Sequence, residues 1–309
     1  MDLPQNPFKR AIRAGRQQIG LWSSLSSHVT VEVLAGSGYD WLLIDTEHSP
    51  NELPMVHSQL QAATGGTAHP IVRPPWNDTV MIKRFLDIGT QTLLIPYVQT
   101  EEEAQKAVAA TRYPPKGVRG FASSSRAARF GRVKEYFKRY EEELCVLVQV
   151  ETRLALDNLE AIANVEGVDG VFIGPGDLSA GLGHLNDQGH PEVVSAIADA
   201  IRRIRACGKA PGILTPDEKL ARHYIEQGLP GYLVEGWFAV IGPAKLPPAE
   251  VARIHAAFVT AFSTPEVREI MAKQGNTIDV STPEYAAQFF RTELAKYAKL
   301  VKKTGIELQ

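Results

Sequence analysis

The chain has 309 residues, 44% hydrophobic and 22% charged, enough to bury one large core or two modest ones. Its 33 Lys and Arg against 35 Asp and Glu leave a formal charge of -2, so no broad basic surface neutralises phosphates and nucleic-acid binding is excluded as a main function. No apolar run approaches the ~20 residues of a spanning helix, which excludes a transmembrane helix.

The first 20 residues lack the apolar centre of a secretory signal. Only Cys145 and Cys207 occur, without metal-ligand spacing, so a reduced, cytoplasmic protein is expected. Short apolar runs then alternate with amphipathic segments. The runs 19–25, 41–44, 70–73, 92–98, 145–150, 168–173 and 210–214 each have the length of a buried parallel strand. Helical patterns lie at 79–88, 101–112, 155–164 and 191–206. Seven βα units in series predict an α/β fold, one unit short of a (β/α)8 TIM barrel. A doubly wound sheet would carry a Gly-rich turn after strand one, and Trp22-Ser23-Ser24-Leu25 is not one.

The pattern changes near Gly228. Residues 232–241 are apolar and are predicted to supply an atypical eighth strand, with Glu235-Gly236 as a bend. Three helices follow. The first presents Val251, Ile254, Phe258, Val259 and Phe262 on one face. The second and third open with Thr264-Pro265-Glu266 and Thr282-Pro283-Glu284, each a cap followed by Pro at the first helical position. The expected organisation is a barrel over 1–228 and a mostly helical extension over 229–309.

Working residues of parallel barrels gather where strands end. Those positions hold Trp22, Asp45 to His48, Arg73, Gln149 to Glu151 and Gly174 to Asp177, with Leu214 as an apolar wall. Glu151 and Asp177 are the metal candidates. Two carboxylates leave most of an octahedron open, which suits Mg²⁺ or Mn²⁺ with water and a chelating substrate. The alternatives are a helix-start carboxylate for Glu151 and an N-cap for Asp177. Gly174-Pro175-Gly176 opens a helix whose amides suit an anion, or is an ordinary βα turn. Arg73 suits a carboxylate or enolate oxygen, or a structural ion pair. Asp45 and His48, three apart, are expected to pair as an acid–base dyad. Trp22 is read as pocket wall or core. The remaining histidines, 28, 57, 69, 184, 190, 223 and 255, have no such company. No strand ends in lysine, and Lys209 precedes strand seven, which favours metal over imine chemistry.

These residues resemble the HpcH/HpaI family of class II pyruvate aldolases, nearest to its 4-hydroxy-2-oxoheptanedioate aldolases. Segments 20–22, 40–48, 72–74, 76–78, 86–89, 112–115, 119–120, 149–151 and 165–179 carry the likeness, and VEGVDGVFIGPGDLS is its most specific run. The resemblance implies a TIM barrel in which Glu151 and Asp177 bind Mg²⁺, Mn²⁺ or Co²⁺. It implies that Arg73 stabilises the enolate of pyruvate and that Gln149 hydrogen-bonds at the site. Amides around Gly176 and Asp177 would hold the carboxylate, and His48 with Asp45 would move protons through water. It further implies a homo-oligomer in which Asp87 reaches a neighbouring site. Gly176 stands where the family more often has Ala.

From Gly228 onward the chain resembles instead the C-terminal part of Bug-type solute receptors of tripartite tricarboxylate transporters, at 228–232, 264–268 and 282–302. The expected activity is an aldolase acting on pyruvate and an aldehyde. The alternatives are an oxaloacetate decarboxylase using the same site and a non-catalytic carboxylate-binding fusion protein.

Overall fold

The structure is a computed structural model that describes residues 1–215, 218–226, 232–234, 247–273, 281–285, 288, 291 and 292. The chain divides into two compact units, Met1–Glu235 and Gly236–Gln309. No helix among the described residues is long and apolar enough to cross a membrane.

The first unit is an α/β fold around a curled parallel sheet. Strands β1 (Gln18–Ser23), β2 (Trp41–Asp45), β3 (His69–Arg73), β4 (Thr92–Ile95), β5 (Cys145–Val150), β6 (Gly170–Ile173) and β7 (Ala210–Leu214) follow one another in sequence order. A short strand, β8 (Tyr232–Val234), pairs in parallel with β7 and with β1. Residues 235–241 of the expected eighth strand lie outside the described residues. Every residue of β2, β4, β5 and β6 is buried. That is why these strands read as continuous apolar runs rather than alternating ones.

Alternation still decides which way each side chain points. Trp41, Leu43, Ile71, Leu94, Cys145, Leu147, Phe172 and Ala210 form one cluster inside the barrel. Gly20 is glycine because a Cβ there would stand 2.2 Å from the Trp41 indole. The other strand faces carry Ile44, Val72, Leu93, Val148, Ile173 and Ile213, packed with helix residues such as Ile82, Phe85, Val108 and Ile197.

A helix not read from the sequence, Pro7–Arg13, closes the end where the strands begin. Phe8 and Ile12 join the interior cluster. Asn6 caps the helix through Lys9 N–H at 2.9 Å, and its amide donates to Thr92 Oγ1 at 2.9 Å. Lys9 Nζ donates to the carbonyls of Glu141 and Leu144, and Arg13 pairs with Asp169 at 2.8 Å.

Several boundaries differ from expectation, strand one ending at Ser23 rather than at residue 25. Strand four stops at Ile95 because Pro96 has no N–H and Tyr97 turns with φ 55. Strand six starts at Gly170, not 168. The helical stretch expected at 155–164 starts at Arg153 and breaks at Asn158, whose side chain donates to the Gln99 carbonyl at 2.9 Å.

In the second unit the helix Pro248–Phe262 half-buries Val251, Ile254, Phe258, Val259 and Phe262, the stripe its periodicity marks. The rings of Phe258 and Phe262 stack at 6.0 Å. Thr264 caps the helix Pro265–Lys273 by accepting from Val267 N–H at 3.4 Å. Most of the third expected helix lies outside the described residues.

Candidate active site

Strand register builds the centre of the site. Asp45 and Arg73 are the last residues of β2 and β3 and are register partners. Both side chains continue the inward rows that begin with Leu43 and Ile71. Arg73 Nε and Nη2 donate to Asp45 Oδ1 and Oδ2, each at 2.8 Å, and its Nη1 lies 2.8 Å from Glu47 Oε2. The guanidinium sits over the Trp22 ring, 4.6 Å from its centroid, and Trp22 Nε1 donates to Asp45 at 3.3 Å. Arg73 is thus held on three sides with its side chain only 6% exposed. Burial by itself would raise the Asp45 pKa, but the bonds and charge of Arg73 outweigh it and hold the carboxyl below its ordinary value.

The segment after β2 folds back on that pair. Glu47 N–H donates to Asp45 Oδ1 at 3.0 Å, while Ser49 Oγ and Asn51 Nδ2 donate to the Asp45 carbonyl at 2.5 and 2.6 Å. Buried Gln59 in turn fixes Asn51 at 2.7 Å. The expected Asp45–His48 pairing is not found. Both Asp45 oxygens are taken by Arg73, and the turn at Glu47 carries His48 out of the barrel. His48 is 65% exposed, and its nearest carboxylate is Glu47, with Nε2 3.8 Å from Oε2. Glu47, read from the sequence only as a neighbour of His48, therefore stands between Arg73 and the imidazole. Burial raises its pKa against the pull of Arg73.

Gln149 and Glu151 occupy successive inward positions at the end of β5. Gln149 Nε2 donates to Glu151 Oε2 at 2.5 Å, and Tyr97 N–H donates to Oε1 at 2.9 Å. Gly174 lies against them: a Cβ would stand 2.5 Å from Glu151 Oε2 and 3.0 Å from Gln149 Nε2. Burial raises the Glu151 pKa to about 7, opposed by the Gln149 bond and reinforced by the charges of Glu47 and Asp177. Gln149 Oε1 is buried with no hydrogen-bond partner. Tyr97 is a residue the sequence reading missed; it acts through its amide, so no side-chain signal marks it.

Asp177 is exposed in the first turn of the helix Pro175–Gly181, whose N-cap is Gly174, so the N-cap alternative for Asp177 does not hold. Gly176, also exposed, precedes it. Leu214 and Trp22 are half-buried and pack on the interior cluster, forming apolar wall at the ends of β7 and β1. Asp87 is elsewhere. It ends the helix Thr79–Asp87, on the side where β4 begins, and pairs with Arg119 at 3.0 Å. Lys209 donates to the Val168 carbonyl at 2.7 Å, at the start of β7. One mouth thus gathers Trp22, Asp45, Glu47, Arg73, Gln149, Glu151, Asp177 and Leu214.

Comparison with known proteins gives a consistent picture. The profile of the HpcH/HpaI aldolase/citrate lyase family matches residues 18–232. A pyruvate aldolase of Rhizobium etli is 59% identical over 228 residues, covering 74% of this chain and 90% of its own. A 4-hydroxy-2-oxo-heptane-1,7-dioate aldolase of Klebsiella pneumoniae is 58% identical over 224 residues, covering 72% and 84%. The crystal structure of an HpcH/HpaI aldolase/citrate lyase family protein from Burkholderia cenocepacia superposes with a TM-score of 0.74 at 38% identity. It covers 85% of this chain and 100% of that one.

Proposed function

Because the chain belongs to the HpcH/HpaI aldolase/citrate lyase family, we propose that it is a metal-dependent pyruvate aldolase, a carbon–carbon lyase. Its substrates would be 4-hydroxy-2-oxo acids such as 4-hydroxy-2-oxoheptanedioate, cleaved to pyruvate and an aldehyde, and the same bond formed in reverse. The observation that carries this reading is the Glu151 carboxyl, buried at a strand end with its pKa lifted to about 7 beside Glu47 and Asp177. Like charges gathered around a buried carboxyl are relieved by a cation, and an all-oxygen set suits Mg²⁺ or Mn²⁺, with Co²⁺ tolerated. Glu151 and Asp177 would hold it, and Gln149, bonded to Glu151, keeps a buried Oε1 without a partner. When bound, the ion supplies Lewis acidity toward the keto oxygen of the substrate.

The chain's own groups account for the rest. In cleavage the C3–C4 bond breaks, its electron pair passes to the three-carbon fragment as an enolate, and the C4 hydroxyl loses its proton as the aldehyde forms. Arg73, locked by Asp45 and Trp22, stabilises the negative oxygen without moving. Amides of Gly176 and Asp177 at the start of their helix hold the carboxylate of the pyruvate portion. His48, with Glu47 rather than Asp45 as its carboxylate neighbour, carries protons between the reacting atoms and solvent water. Trp22 and Leu214 keep water from the apolar side. Asp87 would act only across a subunit boundary in a homo-oligomer. Catalysis is assigned to the barrel, residues 1–228 closed by the atypical segment 232–241, and the receptor-like extension to a supporting role.

The test is a pyruvate–aldehyde assay on metal-stripped protein. Activity returning with Mg²⁺, Mn²⁺ or Co²⁺ supports the reading. Full activity in EDTA, or a pyruvate imine trapped by borohydride, overturns it.

A further inference from the structure

We propose that His184, His190 and Glu192 form a second cation site, of zinc type, on the loop joining the helix Pro175–Gly181 to the helix Pro191–Ala206. One ligand atom from each lies within 4.8 Å of the other two, the only such grouping of three His, Cys, Asp or Glu side chains among the described residues. A metal about 2.1 Å from each donor holds them roughly 3.4 Å apart, so binding draws the triangle in by about 1 Å and turns one imidazole out of its stack on the other so that both ring nitrogens point at the ion.

The loop is built to hold the triangle. His184 N–H donates to the Ser179 carbonyl at 2.8 Å, Asp187 N–H to His184 at 3.0 Å, and His190 N–H to Asp187 at 3.2 Å. Asn186 turns the chain with φ 63. The chain therefore doubles back, and the two imidazoles stack 3.5 Å apart at 16°. His184 Nε2 lies 2.8 Å from Glu192 Oε2, and His190 Nδ1 faces the Glu192 amide at 3.2 Å. Arg153 reaches the other Glu192 oxygen at 3.5 Å, leaving Oε2 to His184, and the His190 ring nitrogen free of the backbone is Nε2. A cation would take the place of the hydrogen bond between Nε2 and Oε2, with water completing its shell.

The donor set names the ion. Two imidazoles and one carboxylate are the ligands of many zinc centres, whereas Mg²⁺ and Ca²⁺ take oxygen ligands. This site and the carboxylate mouth therefore select different metals. The loop also lies beside the mouth: Gln188 Nε2 is 3.8 Å from where a Cβ on Gly176 would stand. An ion fastening His184 to Glu192 would steady the segment flanking Gly176.

The experiment uses the full chain in saturating Mg²⁺, titrated with Zn²⁺ and read by equilibrium dialysis. About one equivalent of Zn²⁺ that Mg²⁺ does not displace is expected. His184→Gln and Glu192→Gln should each weaken it at least tenfold, on the scale of lost ligand support, and leave Mg²⁺-supported turnover unchanged. Absence of Mg²⁺-resistant Zn²⁺, or undiminished binding in both variants, would overturn the proposal. Equal binding in Glu151→Gln and wild type under the same conditions would separate this site from the carboxylate mouth; loss of the Zn²⁺ in Glu151→Gln would refute it.

Discussion

Removing metal should expose the cost of keeping Glu151 where it is. Its pKa rises from 4.5 to about 7 on folding, through burial first and then the charges of Glu47 and Asp177. A group that binds its proton more tightly when folded contributes its full stability below about pH 4.5 and loses it as pH rises through about 7. At ~1.4 kcal/mol per pH unit, that interval corresponds to about 3 kcal/mol. For a barrel of this size it translates to roughly 6–12 °C in Tm. His69 acts in the opposite direction. Burial lowers its pKa to about 3, so unfolding below about pH 6.5 takes up a proton and acid destabilises the fold. The wild-type curve mixes both effects, but Glu151→Gln keeps the shape of the neutral carboxyl and removes only one. Thermal unfolding in EDTA, followed by circular dichroism between about pH 5 and 8.5, should show wild type and variant alike at the acid end. At the alkaline end the variant should be more stable by about 3 kcal/mol, and Mn²⁺ should restore the wild type but not the variant. A wild-type–variant difference that stays constant with pH would refute the reasoning.

Arg73→Ala should lower kcat/KM about 100- to 1,000-fold, the usual loss of ~2.7–4 kcal/mol on deleting a preorganised electrostatic donor; steady-state kinetics within tenfold of wild type would remove Arg73 from the reaction. Arg73→Lys should not rescue it, since a point charge cannot reproduce the paired bonds to Asp45. His48→Ala should slow both aldol turnover and exchange of the pyruvate α-protons with deuterium, and an unchanged exchange rate seen by NMR would place the proton path elsewhere. A chain ending after residue 228 should be insoluble or inactive because the barrel's edge strands are left unpaired, whereas one ending near residue 274 should keep activity; a soluble, fully active 1–228 fragment would contradict the role given to 232–241.

Strands β5 and β7 were legible to the residue because they are buried on both faces and their apolar runs end where polarity begins. Strand four was overrun because its composition stays apolar through Val98 while its backbone turns at Tyr97. The placement of Asp45, Arg73, Gln149 and Glu151 at strand ends was legible, because each follows directly on an apolar run. Partners were not. A spacing of three suggested Asp45 with His48, but strand register, a property of pairing between distant segments, gives Asp45 to Arg73. The amide of Tyr97 leaves no mark in composition. His184 and His190 looked solitary because the loop that stacks them is held by backbone bonds, which side-chain types do not record.

The floor helix Pro7–Arg13 has a consequence for how the chain is made. Its partners, Thr92, Glu141, Leu144 and Asp169, lie far along the sequence. A ribosome adding ~5–20 residues per second needs on the order of 10–30 s to deliver the last of them. A seven-residue helix is not stable alone in water, so through that interval it lacks part of what it docks on. The helix therefore settles fully only once the chain through Asp169 has been made, and until then the end of the barrel that it covers is incompletely closed.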